Sequence, residues 1–118
     1  MTEENLRNEL IEFQNIQQQL QIIVMQKQQV QAQLTELERA KEEVDKTPEK
    51  YAMYRLTGNV FVPKDAAKLK KDLDEEKETL ELRKNGIQKQ EQKLSERADT
   101  IRRKVEAQQA KEGAKVSG

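Results

Sequence analysis

Residues able to do acid–base or nucleophilic chemistry are narrowly restricted in this chain. There are 22 Asp and Glu and 22 Lys and Arg, but no His and no Cys. Without His, the side chain most often used as a general base or transition-metal ligand near pH 7 is missing. Without Cys there is no thiolate nucleophile, disulfide framework or Cys-ligated zinc. Catalysis would fall on carboxylates alone, and every acidic residue reads as part of a solvated helix face. The expectation is a non-enzymatic protein with no catalytic residues, no metal site and no cofactor. The formal net charge of zero argues against a chain that neutralises phosphates or anionic lipid. The one basic run, Arg102-Arg103-Lys104, has no interleaved aromatics and reads as a solvated face, so no nucleic-acid partner is expected. A basic n-region followed by an apolar h-region is absent, as is any run of about 18 apolar residues, so no membrane partner is expected and the localisation read from the chain is cytoplasmic.

What remains is recognition by apolar contact, and the apolar residues are few. The chain is 34% hydrophobic and 37% charged, with two Tyr and two Phe, too little to wrap a sizeable globular core. Such a composition folds only if its apolar residues are periodic. From Leu6, alternating steps of three and four residues land on Leu6, Glu9, Phe13, Ile16, Leu20, Ile23, Lys27, Val30, Leu34, Leu37, Lys41 and Val44, all apolar but Glu9, Lys27 and Lys41. An unslipped 3.5-residue period is the pattern of a coiled-coil helix. Thr2 is the expected N-cap, with Glu3 and Glu4 at the positive end of the helix dipole, and Thr47-Pro48 closes the other end.

A second periodic segment follows Pro63, with Asp65 as its expected N-cap and Leu73, Leu80, Ile87, Leu94 and Ile101 spaced by seven. Taking the intervening seam positions as Glu76, Arg83, Gln90, Arg97 and Lys104 makes this helix weakly held, covered partly by long charged stems. Asn85-Gly86 lies inside it as a soft point costing about 1 kcal/mol, and the heptad phase continues through it. Two helices of matched length, roughly 60 to 70 Å each at the α-helical rise, suggest a fold-back pair. Acidic residues 1–13 and the basic segment from Arg97 onward would meet at the same end of an antiparallel hairpin.

Between the helices, Tyr51 to Pro63 reads as two short strands around a Gly58-Asn59 turn. That turn pairs Thr57 with Val60, Leu56 with Phe61, Arg55 with Val62 and Tyr54 with Pro63, and puts apolar side chains on both faces. A lone hairpin with two apolar faces and two open edges is marginal in water, so it should pair with hairpins from other chains. The expected fold class is all-α: a long antiparallel two-helix coiled coil with one β-hairpin between the helices. The expected boundaries form a single domain over 1–118, with helix one at about 3–46, the hairpin at about 51–63, helix two at about 65–112 and a flexible tail at 113–118.

The Gln-rich stretch from Gln14 to Gln33, charged only at Lys27, reads as a soluble helix face because the heptad runs through it. Off the seam lie Leu10 and Ile11, balanced between packing and exposure, and Ile22, Val24 and Met25, expected to pack on a second helix or a neighbouring subunit.

The order of these pieces carries a family resemblance. Gln18-Gln-Leu20-Gln, Gln26-Lys27-Gln28 with Val30, Leu34-Thr-Glu36, Tyr54-Arg-Leu-Thr-Gly58-Asn-Val-Phe-Val62, Glu78-Thr-Leu-Glu-Leu-Arg83, Lys89-Gln-Glu91 and Leu94 resemble the β-class subunit of archaeal-type prefoldin, from about Leu6 to about Val105. One hairpin rather than two implies the β class, and Pro63, a departure, is tolerable at the end of an edge strand. The resemblance implies a hexamer of two α-type and four β-type subunits whose hairpins join into a β-barrel body. It further implies an ATP-independent holdase that captures unfolded client polypeptide at the helix tips and passes it to a group II chaperonin. The absence of a phosphate-binding Gly-rich loop agrees with that. Mapped onto this chain, Tyr54, Leu56, Val60, Phe61 and Val62 would be assembly residues, and Leu6, Leu10, Ile11, Phe13, Ile101 and Val105 client contacts. The competing reading is a structural coiled-coil or filament-forming prefoldin-like scaffold that holds no client.

Overall fold

A computed structural model describes residues 2–117, with side chains to residue 113. The element order is α1 (Glu3–Lys46), β1 (Met53–Thr57), β2 (Val60–Lys64) and α2 (Ala66–Ser117), the expected class of two long helices with an antiparallel β-hairpin between them. The chain divides into two compact units, Met1–Lys27 with Gly86–Gly118, and Gln28–Asn85.

Helix α1 starts where its cap allows. The Thr2 hydroxyl accepts the Asn5 backbone N–H at 3.1 Å and the Thr2 carbonyl accepts that of Leu6 at 2.9 Å, satisfying donors that a helix N-terminus leaves open. No Gly or Pro interrupts the 44 residues that follow. At the far end the Glu43 carbonyl accepts both the Thr47 N–H at 3.1 Å and the Thr47 hydroxyl at 2.7 Å, and Pro48 stops propagation. Helix α2 follows Asp65, whose carbonyl accepts the Leu69 N–H at 2.8 Å. It continues to Ser117, past residue 112 where the periodicity suggests its end. Gly113 lowers helix propensity there without ending the helix, and Gly118 of the expected tail lies outside the described residues.

Helix α2 also passes unbroken through Asn85-Gly86. A Cβ added at Gly86 meets nothing within 4 Å, and its φ is not positive, so neither packing nor backbone geometry requires glycine. Gly86→Ala is therefore expected to stabilise the chain by about 1 kcal/mol, read as a raised denaturant midpoint. A lowered midpoint would contradict a continuous helix at this position.

Within each unit the α1 and α2 segments run antiparallel. In the first, Ile16, Ala98 and Ile101 form a buried cluster with Phe13, Leu20, Leu94 and Val105 packed against it, and Ile23 and Ile87 are also buried. In the second, Val30, Leu34, Leu69 and Leu73 are buried. The α1 seam is the expected one: each of its positions from Leu6 to Val44 is buried or half-buried. The second α2 stream differs in part. Positions Lys77, Lys84, Glu91, Ala98 and Val105, four residues after each heptad leucine or isoleucine, are all buried or half-buried, whereas of the expected positions three residues after, Glu76 and Arg97 are half-buried and Arg83, Gln90 and Lys104 are exposed. Both choices preserve the seven-residue repeat; the later flank places Ala98 in the buried cluster with Val105 half-buried against it, while Arg97 on the other flank is half-buried and paired with Glu9 and Glu12 of α1.

The hairpin has the expected register: Met53 faces Lys64, Tyr54 Pro63, Arg55 Val62, Leu56 Phe61 and Thr57 Val60. Gly58 has φ of 61° and Asn59 does not share the positive sign, the pattern of a II′ turn whose twist matches the strands. Among the described residues no helix is long and apolar enough to cross a membrane.

Candidate functional site: two exposed apolar surfaces

Strand alternation sorts the hairpin side chains. Tyr54, Leu56, Phe61 and Pro63 share one face, and all four are exposed, Phe61 at 69%. Met53, Arg55, Val62 and Lys64 on the opposite face are half-buried, while Thr57 and Val60 beside the turn are exposed. Arg55 is anchored by an ion pair with Glu76 of α2. Of the candidate assembly residues, Tyr54, Leu56, Val60 and Phe61 thus stand in solvent, and Val62 lies on the half-buried side. Each large side chain of this kind gains about 1.5 to 3 kcal/mol when fully buried, and nothing among the described residues supplies that burial.

The second surface belongs to the unit that contains both chain ends. Leu10 (44%) and Ile11 (51%) are exposed, Leu6, Phe13 and Val105 are half-buried, and Ile101 is completely buried in the cluster with Ile16 and Ala98. The six candidate client contacts therefore separate into two exposed, three partly accessible and one inaccessible in the closed helix pair. Ile22, Val24 and Met25, expected to pack, are exposed within this chain, Met25 at 69%. A two-helix contact covers a narrow stripe of each helix, and these residues lie off it. Ala98 was not singled out from the sequence; counting apolar residues on both flanks of the Leu73-to-Ile101 stream would have found it.

Polar breaks in the α1 seam are met by opposite charge. Glu9 receives Arg97 at 3.3 Å and Lys104 at 3.4 Å, Lys27 lies 3.0 Å from Glu91, and Lys41 pairs with Asp74. Arg97 also forks onto Glu12 at 2.8 and 2.9 Å, so the acidic start and basic end of the chain do meet. Exposed pairs of this kind contribute at most about 1 kcal/mol each, and their larger effect is to favour one antiparallel register.

Hydrogen bonding from Arg97 holds the Glu12 carboxyl below its usual range, against desolvation and with help from the Arg97 and Lys104 charges. The hydrogen bond to Asp74 likewise raises Lys41. A depressed carboxylate pKa contributes stability above the unfolded value that is lost as pH falls through the folded one. Glu12→Gln should therefore lower the melting temperature at neutral pH, and the gap from the parent should close below about pH 4. Circular-dichroism melts across that range measure it, and a gap independent of pH would refute the assignment.

Comparison with known proteins agrees over most of the chain. A family model described as "Prefoldin subunit" matches residues 7–112. The chain is 40% identical over 95 residues to the prefoldin subunit beta of Thermococcus onnurineus, covering 80% of this chain and 82% of that one. It is 37% identical over 101 residues to that of Archaeoglobus fulgidus, covering 86% and 87%. The crystal structure of the prefoldin beta subunit from Thermococcus strain KS-1 superposes with a TM-score of 0.81 at 34% identity, covering 87% of this chain and 90% of that one.

Proposed function

The chain belongs to the prefoldin subunit family, as a β-class member of the archaeal type, and from that premise we propose that it is a non-catalytic, cofactor-free chaperone subunit acting as an ATP-independent holdase. It assembles through its hairpin with α-type subunits and further copies of itself, two α to four β. It holds unfolded polypeptide at the end of the helix pair that carries Leu6, Leu10, Ile11 and Phe13 with Ile101 and Val105, and hands it to a group II chaperonin in the cytoplasm. The observation that carries this reading is the presence of two separate sets of exposed apolar side chains, Tyr54, Leu56 and Phe61 on the hairpin and Leu10 and Ile11 on α1. One set suits assembly and the other suits capture, since exposed apolar patches mark interaction surfaces.

Mixing the chain with an α-type subunit, determining the mass by light scattering, and following aggregation of a denatured substrate without nucleotide tests the proposal. A larger hetero-oligomer that suppresses aggregation is expected. A particle that assembles yet gives no protection would leave the scaffold reading in its place.

A further inference from the structure

The chain contains five Asn, and the residue that follows each one decides whether it can undergo a spontaneous reaction with its own backbone. Asn5, Asn8, Asn15 and Asn59 precede Leu, Glu, Ile and Val, whereas Asn85 precedes Gly86. An Asn side chain loses ammonia when the backbone nitrogen of the next residue attacks its Cγ, and a side chain on that next residue obstructs the approach. Gly86 has none, and a Cβ built there would meet nothing within 4 Å. Both residues are exposed, so water reaches them, and the Asn85 side-chain amide enters no hydrogen bond among the described residues. They lie within α2, where the helical ladder directs the Gly86 N–H to the Leu82 carbonyl. Attack therefore waits on local opening, and two poor helix formers in succession make that opening easier than elsewhere in α2.

We propose that Asn85 is a site of spontaneous deamidation through Gly86, gated by local opening of α2. In the opened turn hydroxide removes the Gly86 N–H proton and the nitrogen forms a bond to Asn85 Cγ. The bond from Cγ to Nδ2 breaks, and ammonia leaves with a proton supplied by water, which regenerates the hydroxide. The resulting succinimide then takes up one water. Hydrolysis at the Cγ carbonyl gives aspartate, and hydrolysis at the backbone carbonyl gives isoaspartate, whose main chain runs through Cβ and Cγ. No oxidant or cofactor enters. The products differ in effect. Aspartate lies four residues before Lys89, a spacing that supports a helix. Isoaspartate lengthens the backbone by a carbon, so the ladder of α2 cannot run in register from Leu80 to Ile87.

Peptide mapping by mass spectrometry of the full chain, incubated at mildly alkaline pH beside the same chain unfolded in denaturant, tests the proposal. Conversion of amide to acid is expected at Asn85 before any other Asn, at a rate proportional to hydroxide. The folded chain should react less than about a thousandfold more slowly than the unfolded one, because a site that opened only with the whole molecule would be protected by at least that factor. Gly86→Ala, compared with its own unfolded chain so that the methyl's obstruction cancels, should deepen the protection by about fivefold through helix propensity. Asn85→Gln should remove the reaction. Both substitutions favour helix, so neither result can come from misfolding. The purified isoaspartyl form should melt below the Asn85→Asp variant. Earlier conversion at another Asn, protection of about a thousandfold or more, or unchanged protection in Gly86→Ala overturns the proposal. An isoaspartyl form that melts like Asn85→Asp overturns the interruption of α2.

Discussion

Phe61→Asp is expected to dissociate the assembled protein while leaving its far-ultraviolet circular dichroism essentially unchanged. Phe61 is the most exposed apolar residue of the hairpin, facing Leu56 across the strand pair with Tyr54 and Pro63 on the same face. In the isolated chain the substitution removes no buried contact, so α1 and α2 keep their packing. In an assembly that covers this face, an aspartate would be taken out of water without a partner. Such an uncompensated charge costs about 3 to 5 kcal/mol, enough to weaken each interface by two to four orders of magnitude. Sedimentation velocity measures it, and an assembly of unchanged size would show that the hairpin face is not buried between subunits.

The second large effect concerns holding. Deleting residues 1–13 and 101–118 from the assembled protein, or replacing Leu6, Leu10, Ile11 and Phe13 by Ser, is expected to abolish suppression of aggregation while the oligomer persists. The structure separates two contributions to that loss. Leu10 and Ile11 are already exposed, so Leu10→Ser/Ile11→Ser should reduce protection with little change in melting temperature. Ile101 is fully buried, so Ile101→Ala should instead cost about 2 to 5 kcal/mol of helix-pair stability. Single client contacts are worth about 1 to 3 kcal/mol, so capture depends on several subunits acting together and one substitution weakens it modestly. If the truncated oligomer protects a denatured substrate as well as the full chain, the grip lies elsewhere, and the exposed Ile22, Val24 and Met25 are the next surface to test.

Features governed by local rules could be read from the chain. Thr2 caps α1 because a hydroxyl at that position reaches the free N–H three residues on, whatever the rest of the molecule does. The hairpin register follows from the Gly58 turn and the two-residue side-chain period. The α1 seam was legible for the same reason: one stripe dominates, and no competing phase buries as much. The pairing of the acidic start with Arg97 and Lys104 followed once the helices were taken as antiparallel.

Other features depended on which surfaces meet. On α2 a single apolar stream is flanked on both sides by candidates for the second, and only contact with α1 buried Ala98 and half-buried Val105 and Arg97 while leaving Lys104 exposed. Burial of a candidate residue is likewise a property of its neighbours. Ile101 and Leu10 look alike in sequence, yet one is sealed against Ile16 and the other faces water. Periodicity is carried by the chain itself, so sequence alone determined the elements and the stripe along α1; the choice between flanks and the exposure of each apolar side chain depend on where the opposing helix lies, and that only the tertiary structure decided.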